Sequence, residues 1–393
     1  MMSTMKRIYM DHSATTPVDP LVVDSMLPYF TEKFGNASSL HSFGQEASEA
    51  LSTARQQLAE SIGAKTDEII FTSGGTESDN LAIRGVLGKE DSGKGKDQHI
   101  ITSVIEHPAV LSTCAFLESI GYDVTYVPVD SEGILDIDEF ENSIQDNTSI
   151  ISVMHANNEI GTIQPIREIA KIAKENDIYL HTDAVQTFGK IPVNVDDLGV
   201  DMLAISSHKI HGPKGAGALY VREGTDLEPF IFGGGHEQGL RPGTENIPGI
   251  VGLGKAASLA KERLGNDPEH MLKLRDSLIS KIFDSIEDVQ LNGHSEKRLP
   301  NNVNLSFKYA EGESLQMLLD VKGIAVSTAS ACSSKSKKES HVLTSIGVDM
   351  DYIHGTIRIS LGKDNTMEEV DYVVQSLKES VDRLREMSAV SKC

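Results

Sequence analysis

The sequence has no paired cysteines, no surplus of positive charge, no apolar run of bilayer length and no long low-complexity tract. Its three cysteines, Cys114, Cys332 and Cys393, are far apart, odd in number and without Cys-x-x-Cys spacing. That excludes a disulfide framework and a cysteine-built zinc site, and points to a reducing cytoplasm. The formal net charge is -22, with acidic residues spread along the chain instead of gathered in a tail. A nucleic-acid backbone or an anionic membrane surface would be repelled, so neither is an expected partner, and the charge reads as a device for solubility. The opening residues reach acids and prolines before any apolar segment forms, and no later run is long enough to span a bilayer, so neither secretion nor membrane anchoring is expected.

What is present is globular. With 393 residues, 39% of them apolar, the chain is too long for one simple core, and at roughly 150 residues per domain it divides into two or three. Ala47, Ala50, Leu51, Ala54, Leu58 and Ile62 recur at helical spacing and predict a helix with one buried face. The apolar run at 68–72 then breaks at Ser73-Gly-Gly, as a strand does at a turn. Strand-like runs return near 99–104, 124–129, 149–154, 178–183, 202–206 and 216–221, mostly with helical segments between them. This alternation predicts an α/β fold, a mainly parallel seven-stranded sheet covered by helices on both faces, in a large domain over 15–260. From about residue 250 the order changes to two long helical stretches, strands near 302–307, 324–326 and 356–361, and helices near 313–321 and 367–385. Residues 261–393, with 1–14 packed beside them, form the expected smaller α+β domain.

Parallel sheets bind ligands beyond the carboxyl ends of their strands. Asp183 and Lys209 lie just past two such ends. Pyridoxal phosphate needs a lysine amine for its aldehyde and an acid to keep its pyridine nitrogen protonated. An isolated Asp and Lys are more often a surface pair, but the surroundings favour the cofactor. Ser73-Gly74-Gly75-Thr76 opens a helix with free backbone N–H groups and a hydroxyl for a phosphate. Ser206 and His208 flank Lys209, and Gly233-Gly-Gly-His-Glu237 with Thr244 offers a second loop of this kind. His107, before Pro108, suits either stacking on a ring and proton exchange or a simple helix cap.

In order along the chain come Tyr9-Met-Asp-His-Ser-Ala-Thr-Thr16, Phe34-Gly-Asn-Ala-Ser-Ser-Leu-His41, Thr72-Ser-Gly-Gly-Thr-Glu-Ser-Asp-Asn80, Asn157-Asn-Glu-Ile-Gly161, Asp183-Ala-Val-Gln186, Ser206-Ser-His-Lys-Ile-His-Gly-Pro-Lys-Gly215 and Arg241-Pro-Gly-Thr244. This series, spanning about 7–385, resembles the NifS/IscS-like cysteine desulfurases, class V of the pyridoxal-phosphate aminotransferases, with the fold type I architecture. The resemblance implies that Lys209 carries the cofactor, Asp183 pairs with its pyridine nitrogen, Gln186 bonds its ring hydroxyl and His107 stacks on the ring. Gly75, Thr76, Ser206 and His208 would hold the phosphate, and Thr244 would reach it from the other subunit of a homodimer. Asn158, which would also contact the cofactor, and Arg358 would orient the substrate, the Arg358 guanidinium gripping its carboxylate in bidentate fashion.

A lone cysteine is usually an inert buried residue. The resemblance reverses this for Cys332, in a loop expected over about 327–340, where Ser330, Ser333 and Ser334 and then Lys335, Lys337 and Lys338 make a polar, electropositive stretch that favours thiolate. The implied reaction transfers sulfur from L-cysteine to Cys332 as a persulfide and releases L-alanine, for an iron–sulfur scaffold protein or another acceptor. No metal is expected to be stably bound, although Cys332 could share a transient cluster with a scaffold partner. The chain departs from the usual pattern at Lys337-Lys-Glu339, where relatives carry Leu-Glu-Pro, and in its short tail; both bear on the acceptor and leave the chemistry alone. The rival readings are a selenocysteine lyase, a class V aminotransferase that would not need Cys332, and a non-enzymatic sulfur-carrier scaffold.

Overall fold

The computed structural model describes residues 7–88, 97–328 and 339–387. Its strands are β1 (Ile8–Tyr9), β2 (Ile69–Thr72), β3 (His99–Ser103), β4 (Asp123–Val127), β5 (Thr148–Ser152), β6 (Tyr179–Asp183), β7 (Met202–Ser206), β8 (Gly217–Val221), β9 (Val289–Leu291), β10 (Asn302–Phe307), β11 (Ile324–Ala325), β12 (Ser327–Thr328) and β13 (Thr356–Ser360). Seven of them form one sheet in the order β2-β8-β7-β6-β5-β3-β4. β7, β6, β5, β3 and β4 run parallel, whereas β8 is antiparallel to both of its neighbours. The expected mainly parallel seven-stranded sheet is therefore found.

Both faces of this sheet are covered, which is why its central strands read as continuous apolar runs. Ile100, Ile150 and Met202 point into a core with Leu81, Ile83, Val110 and Leu117, contributed by the helices Gly75–Leu87 and Pro108–Ser119. Their neighbours Ile101, Ile151 and Leu203 point to the other face, packed with Leu58, Ile62, Ile169 and Leu253 from the helices Ser42–Ile62, Ile166–Glu175 and Ile247–Arg263. The last of these helices packs on the large core, past the change in element order at about residue 250. Ile250, Leu253, Ala256 and Ala257 belong to the large core, because the helix is apolar and small-residue-rich on the face against Ser42–Ile62. There Gly254 has no room for a side chain, since a Cβ would lie 2.6 Å from the Ala54 Cα.

A second core collects Val303, Leu305, Phe307, Leu315, Leu319, Ile357, Ile359, Val373 and Leu377, together with Ile8 and Met10 from the N-terminus. It rests on the antiparallel sheet β12-β13-β10-β9, and β1 pairs in parallel with β11. The N-terminal residues thus begin beside the second core and cross to the first.

The loop expected to offer a second phosphate cradle has another duty at its end. Glu237 is buried; its Oε1 accepts from Arg55 Nη2 at 2.6 Å and its Oε2 from the Phe71 backbone N–H at 2.7 Å. The Arg55 guanidinium also stacks over the Phe71 ring at 4.7 Å. Glu237 thereby fixes β2, which leads directly into the Ser73–Thr76 turn. Replacing Glu237 with alanine strands a part-buried guanidinium and a backbone donor, and is expected to cost about 3 kcal/mol of stability, measured by urea unfolding. Glu237→Gln, which keeps one acceptor, should cost less.

Candidate active site

The residues singled out from the sequence converge where the parallel strands end. Asp183 closes β6, Ser206 closes β7, and His208 and Lys209 form the short turn after it. Thr15, Gly74, Gly75, Thr76, Ser206, His208 and Lys214 line one open cavity of about 360 Å³. Gly75 and Thr76 begin the helix Gly75–Leu87, so its unpaired N–H groups belong to this cavity, the arrangement that suits a phosphate. Two features brace the turn. Glu77 Oε2 accepts from the Ser73 N–H at 2.7 Å while its Oε1 takes the Arg241 Nε at 2.9 Å. Gly217 in β8 lets Gly74 approach, since a Cβ there would sit 2.5 Å from the Gly74 Cα.

Lys209 Nζ donates to the backbone oxygens of Ser13 (2.5 Å) and Ala14 (2.8 Å). The same segment holds its neighbours: Gln186 Nε2 donates to Ser13 O at 3.0 Å, Thr16 Oγ1 to His208 O at 2.9 Å, and Thr15 Oγ1 lies 3.1 Å from His208 Nδ1. Among the described residues the buried Gln186 Oε1 has no partner, so a polar atom is left over for a ligand group. Asp183 Oδ1 accepts from the Val185 N–H at 2.8 Å. Burial pushes the Asp183 carboxyl up, opposed by His107, that N–H and Lys209. A cation beside it, such as a protonated pyridine nitrogen, would pull it back down and favour the anion. The site therefore fits pyridoxal phosphate at both of its ends.

His107 takes the helix-cap role that the sequence allowed. It is the N-cap of Pro108–Ser119, and its Nδ1 accepts from the Ala109 N–H at 3.1 Å. A ring nitrogen that accepts from a backbone donor carries no hydrogen, so the cap sets the tautomer with hydrogen on Nε2. Burial holds the His107 pKa down, and Lys209 acts in the same direction, against Asp183. The ring is a neutral imidazole of fixed tautomer.

Arg358 is on β13, beside the other core, and is tied to the same N-terminal segment that holds Lys209. Its Nη2 donates to Asp11 Oδ1 at 3.0 Å and its Nη1 to the Asn158 backbone oxygen at 3.0 Å. Its Nε is buried without a partner among the described residues, leaving a donor for an anion. Asn157 shapes the turn that carries Asn158, its Oδ1 accepting from the N–H groups of Glu159 (2.8 Å) and Ile160 (3.0 Å). Thr244 is exposed and does not line the phosphate cavity. Cys332, its flanking residues Ser330, Ser333, Ser334, Lys335, Lys337 and Lys338, and Cys393 lie outside the described residues. Cys114 is buried in the first core, where burial lifts its thiol to about 12, an inert group.

Four participants escaped the sequence reading: the carbonyls of Ser13 and Ala14, Asp11 as the counter-ion of Arg358, and Glu106. Glu106 is fully buried behind His107, its carboxylate accepting from Ser103 Oγ at 2.6 Å and from the Met154 N–H at 2.9 Å.

With this geometry in view, comparison with known proteins is decisive. Residues 8–373 match the family described as aminotransferase class-V. The chain belongs to that family. It is 54% identical over 385 residues to a protein named cysteine desulfurase IscS from Dictyoglomus turgidum, covering 98% of this chain and 97% of the relative. Against the IscS of Methanosarcina thermophila the identity is again 54%, over 387 residues, 98% of this chain and 95% of the relative. Among solved structures, a NifS-like protein superposes with a TM-score of 0.89 at 43% identity, covering 96% of this chain and all of the other. A structure described as SspA in complex with cysteine gives 0.79 at 39%, over 92% of this chain and 100% of that one.

The buried acid behind the site makes a pH prediction. Burial raises Glu106 to about 8 from an ordinary 4.5. The folded chain therefore holds a proton that the unfolded chain has released, and the stability tied to Glu106 is full below about pH 4.5 and lost as pH rises through about 8. In urea unfolding across pH 5 to 8, Glu106→Gln should show a shallower decline than the unmutated protein; parallel curves would refute the assignment.

Proposed function

We propose that this chain is a pyridoxal-phosphate-dependent cysteine desulfurase that moves the sulfur of L-cysteine onto Cys332 and releases L-alanine. The observation that carries the reading is the gathering of Lys209, the buried Asp183 and the phosphate cradle at the strand ends of the sheet, tied through the N-terminal segment to Arg358 beside the second core, in a chain of this family. The bound cofactor supplies an aldehyde for an amine and a ring that takes up electrons released at the substrate Cα.

The chain's own residues supply the rest. Arg358, held from behind by Asp11 and the Asn158 carbonyl, presents its remaining donors to the substrate carboxylate, with the Asn158 side chain beside it. His107, neutral and fixed by its cap, offers a flat face for the ring and an Nε2–H for proton exchange. Gly75, Thr76, Ser206 and His208 take the phosphate, and Gln186 the ring hydroxyl. Lys209 Nζ accepts the proton from the substrate Cα and returns it. The Cys332 thiolate then attacks the substrate sulfur: an S–S bond forms, the Cβ–S bond breaks with its electron pair going to Cβ, and the substrate's thiol proton completes the alanine methyl group. Thiolate plus cysteine gives persulfide anion plus alanine, with no outside oxidant or reductant.

The same reading includes a large unit over 15–260 and a small one of 1–14 and 261–393, which the two separate apolar cores support. It also includes a homodimer in which Thr244 serves the partner's phosphate. Leu27, Phe30, Phe34, Leu40 and Phe43 stand exposed on one segment, the Phe34 and Phe43 rings 5.5 Å apart, an apolar surface suited to a second copy. A cytoplasmic enzyme passing sulfur to an iron–sulfur scaffold or another acceptor completes the proposal; no helix among the described residues is long and apolar enough to cross a membrane.

Two variants test the chemistry together. Lys209→Ala should lose the visible absorbance of the reconstituted protein and form no alanine from cysteine. Cys332→Ser should keep the absorbance and lose persulfide and alanine formation. A colourless wild type after reconstitution would overturn the cofactor assignment, and continued desulfuration by Cys332→Ser would overturn the acceptor.

A further inference from the structure

The connection that carries Cys332 leaves the described structure at Thr328 and re-enters at Glu339. Its first root is set by sheet register: Ser327 pairs with Arg358 and Thr328 with Ile357. Its second root is held differently, by two contacts that cross to the large sheet. Ser340 Oγ donates to Glu159 Oε2 at 2.5 Å, and both residues are buried. His341 Nε2 lies 3.0 Å from the Glu106 backbone oxygen; because a carbonyl only accepts, this nitrogen carries the hydrogen.

The places these contacts reach are specific. Glu159 follows Asn158, whose carbonyl holds Arg358, and Glu106 precedes His107. Glu159 is itself fixed to the second core, its backbone oxygen accepting from Asn302 Nδ2 and Asn304 Nδ2, each at 3.1 Å. Ser340 is also the N-cap of His341–Ser345, its Oγ accepting from the Leu343 N–H at 3.2 Å. One hydroxyl thus starts a helix and docks it onto the turn beside the substrate arginine. Nothing in the handling of cysteine at Lys209 requires this link. What it fixes is the point from which the Cys332 connection departs.

We propose that Glu159, Ser340 and His341 are positioning residues for sulfur transfer: they clamp the root of the Cys332 connection to the loops bearing Asn158 and His107, and so set the approach of the thiol without governing substrate capture. The inference rests on the reading of Cys332 as acceptor. Group transfer is sensitive to placement, and an error of about 1 Å can cost on the order of a hundredfold.

The test uses the full-length, cofactor-loaded enzyme in a single turnover with L-cysteine. The absorbance change on adding cysteine reports capture, and mass spectrometry after alkylation reports the rate at which persulfide forms on Cys332. Glu159→Ala and His341→Ala should each slow persulfide formation by about tenfold or more while the absorbance response to cysteine stays within about twofold. Glu159→Gln, which retains an acceptor oxygen for Ser340, should recover most of the rate. In the unloaded protein, unfolding of Glu159→Ala, Ser340→Ala and the double variant should be non-additive, which reads the contact itself. Equal loss of capture and transfer, or no loss of transfer, overturns the clamp and leaves the desulfurase reading standing. Persulfide on a residue other than Cys332 in the wild type overturns the acceptor assignment and the clamp with it. Should either alanine variant fail to fold, the other decides.

Discussion

Residues 9–16 are the thread on which both halves of the site hang. On the side of the small sheet, the N–H groups of His12 and Ser13 donate to the Ser360 backbone oxygen (3.2 Å) and to Ser360 Oγ (2.8 Å), and Asp11 pairs with Arg358. On the side of the large sheet, the carbonyls of Ser13 and Ala14 hold Lys209, Ser13 also holds Gln186, and Thr15 and Thr16 meet His208. The distance between the amine that would carry the cofactor and the guanidinium that would hold the substrate is therefore not left to the packing of two independent cores. It is fixed by a short segment, turned at Asp11–Ala14, whose backbone groups are mostly committed.

Behind that thread the interior is acidic and dry. Asp79, Glu106 and Asp183 are all buried near one another, and burial pushes all three carboxyls up. Close by, His181 is pushed down to about 3 by burial alone. Neutral acids and neutral imidazoles cost little to bury, whereas several like charges would cost a great deal. A positive charge arriving at Asp183 would favour its ionised form, while burial works against ionisation of Asp79 and Glu106.

Much of this was legible in the sequence. Asp183, Ser206 and Lys209 could be placed because parallel strands announce themselves as apolar runs and their ends are where function gathers. Gly75 and Thr76 were visible because a glycine turn entering a helix leaves donors unpaired. The contributions of Ser13 and Ala14 were not, since a backbone carbonyl has no side-chain signature and its partner is about two hundred positions away. Glu106 reads as one more acid among many until the Met154 N–H is seen to donate to it. Glu237 looked like part of a ligand loop because its three preceding glycines dominate the pattern, while the arginine that claims it lies in a distant helix. For the helix Ile247–Arg263, periodicity tells that there is a buried face and not which core receives it.

Under the proposed function His107 would combine two duties that pull on side-chain choice in opposite directions. An asparagine or aspartate would start the helix Pro108–Ser119 as well, but would have no flat face to lay against a ring. A phenylalanine or tyrosine would supply the face and leave the Ala109 N–H without its acceptor. Only imidazole satisfies both, and by accepting from the backbone it also surrenders its freedom to choose a tautomer. A substitution here would lose the start of the helix, the flat face that the proposed function requires, or both.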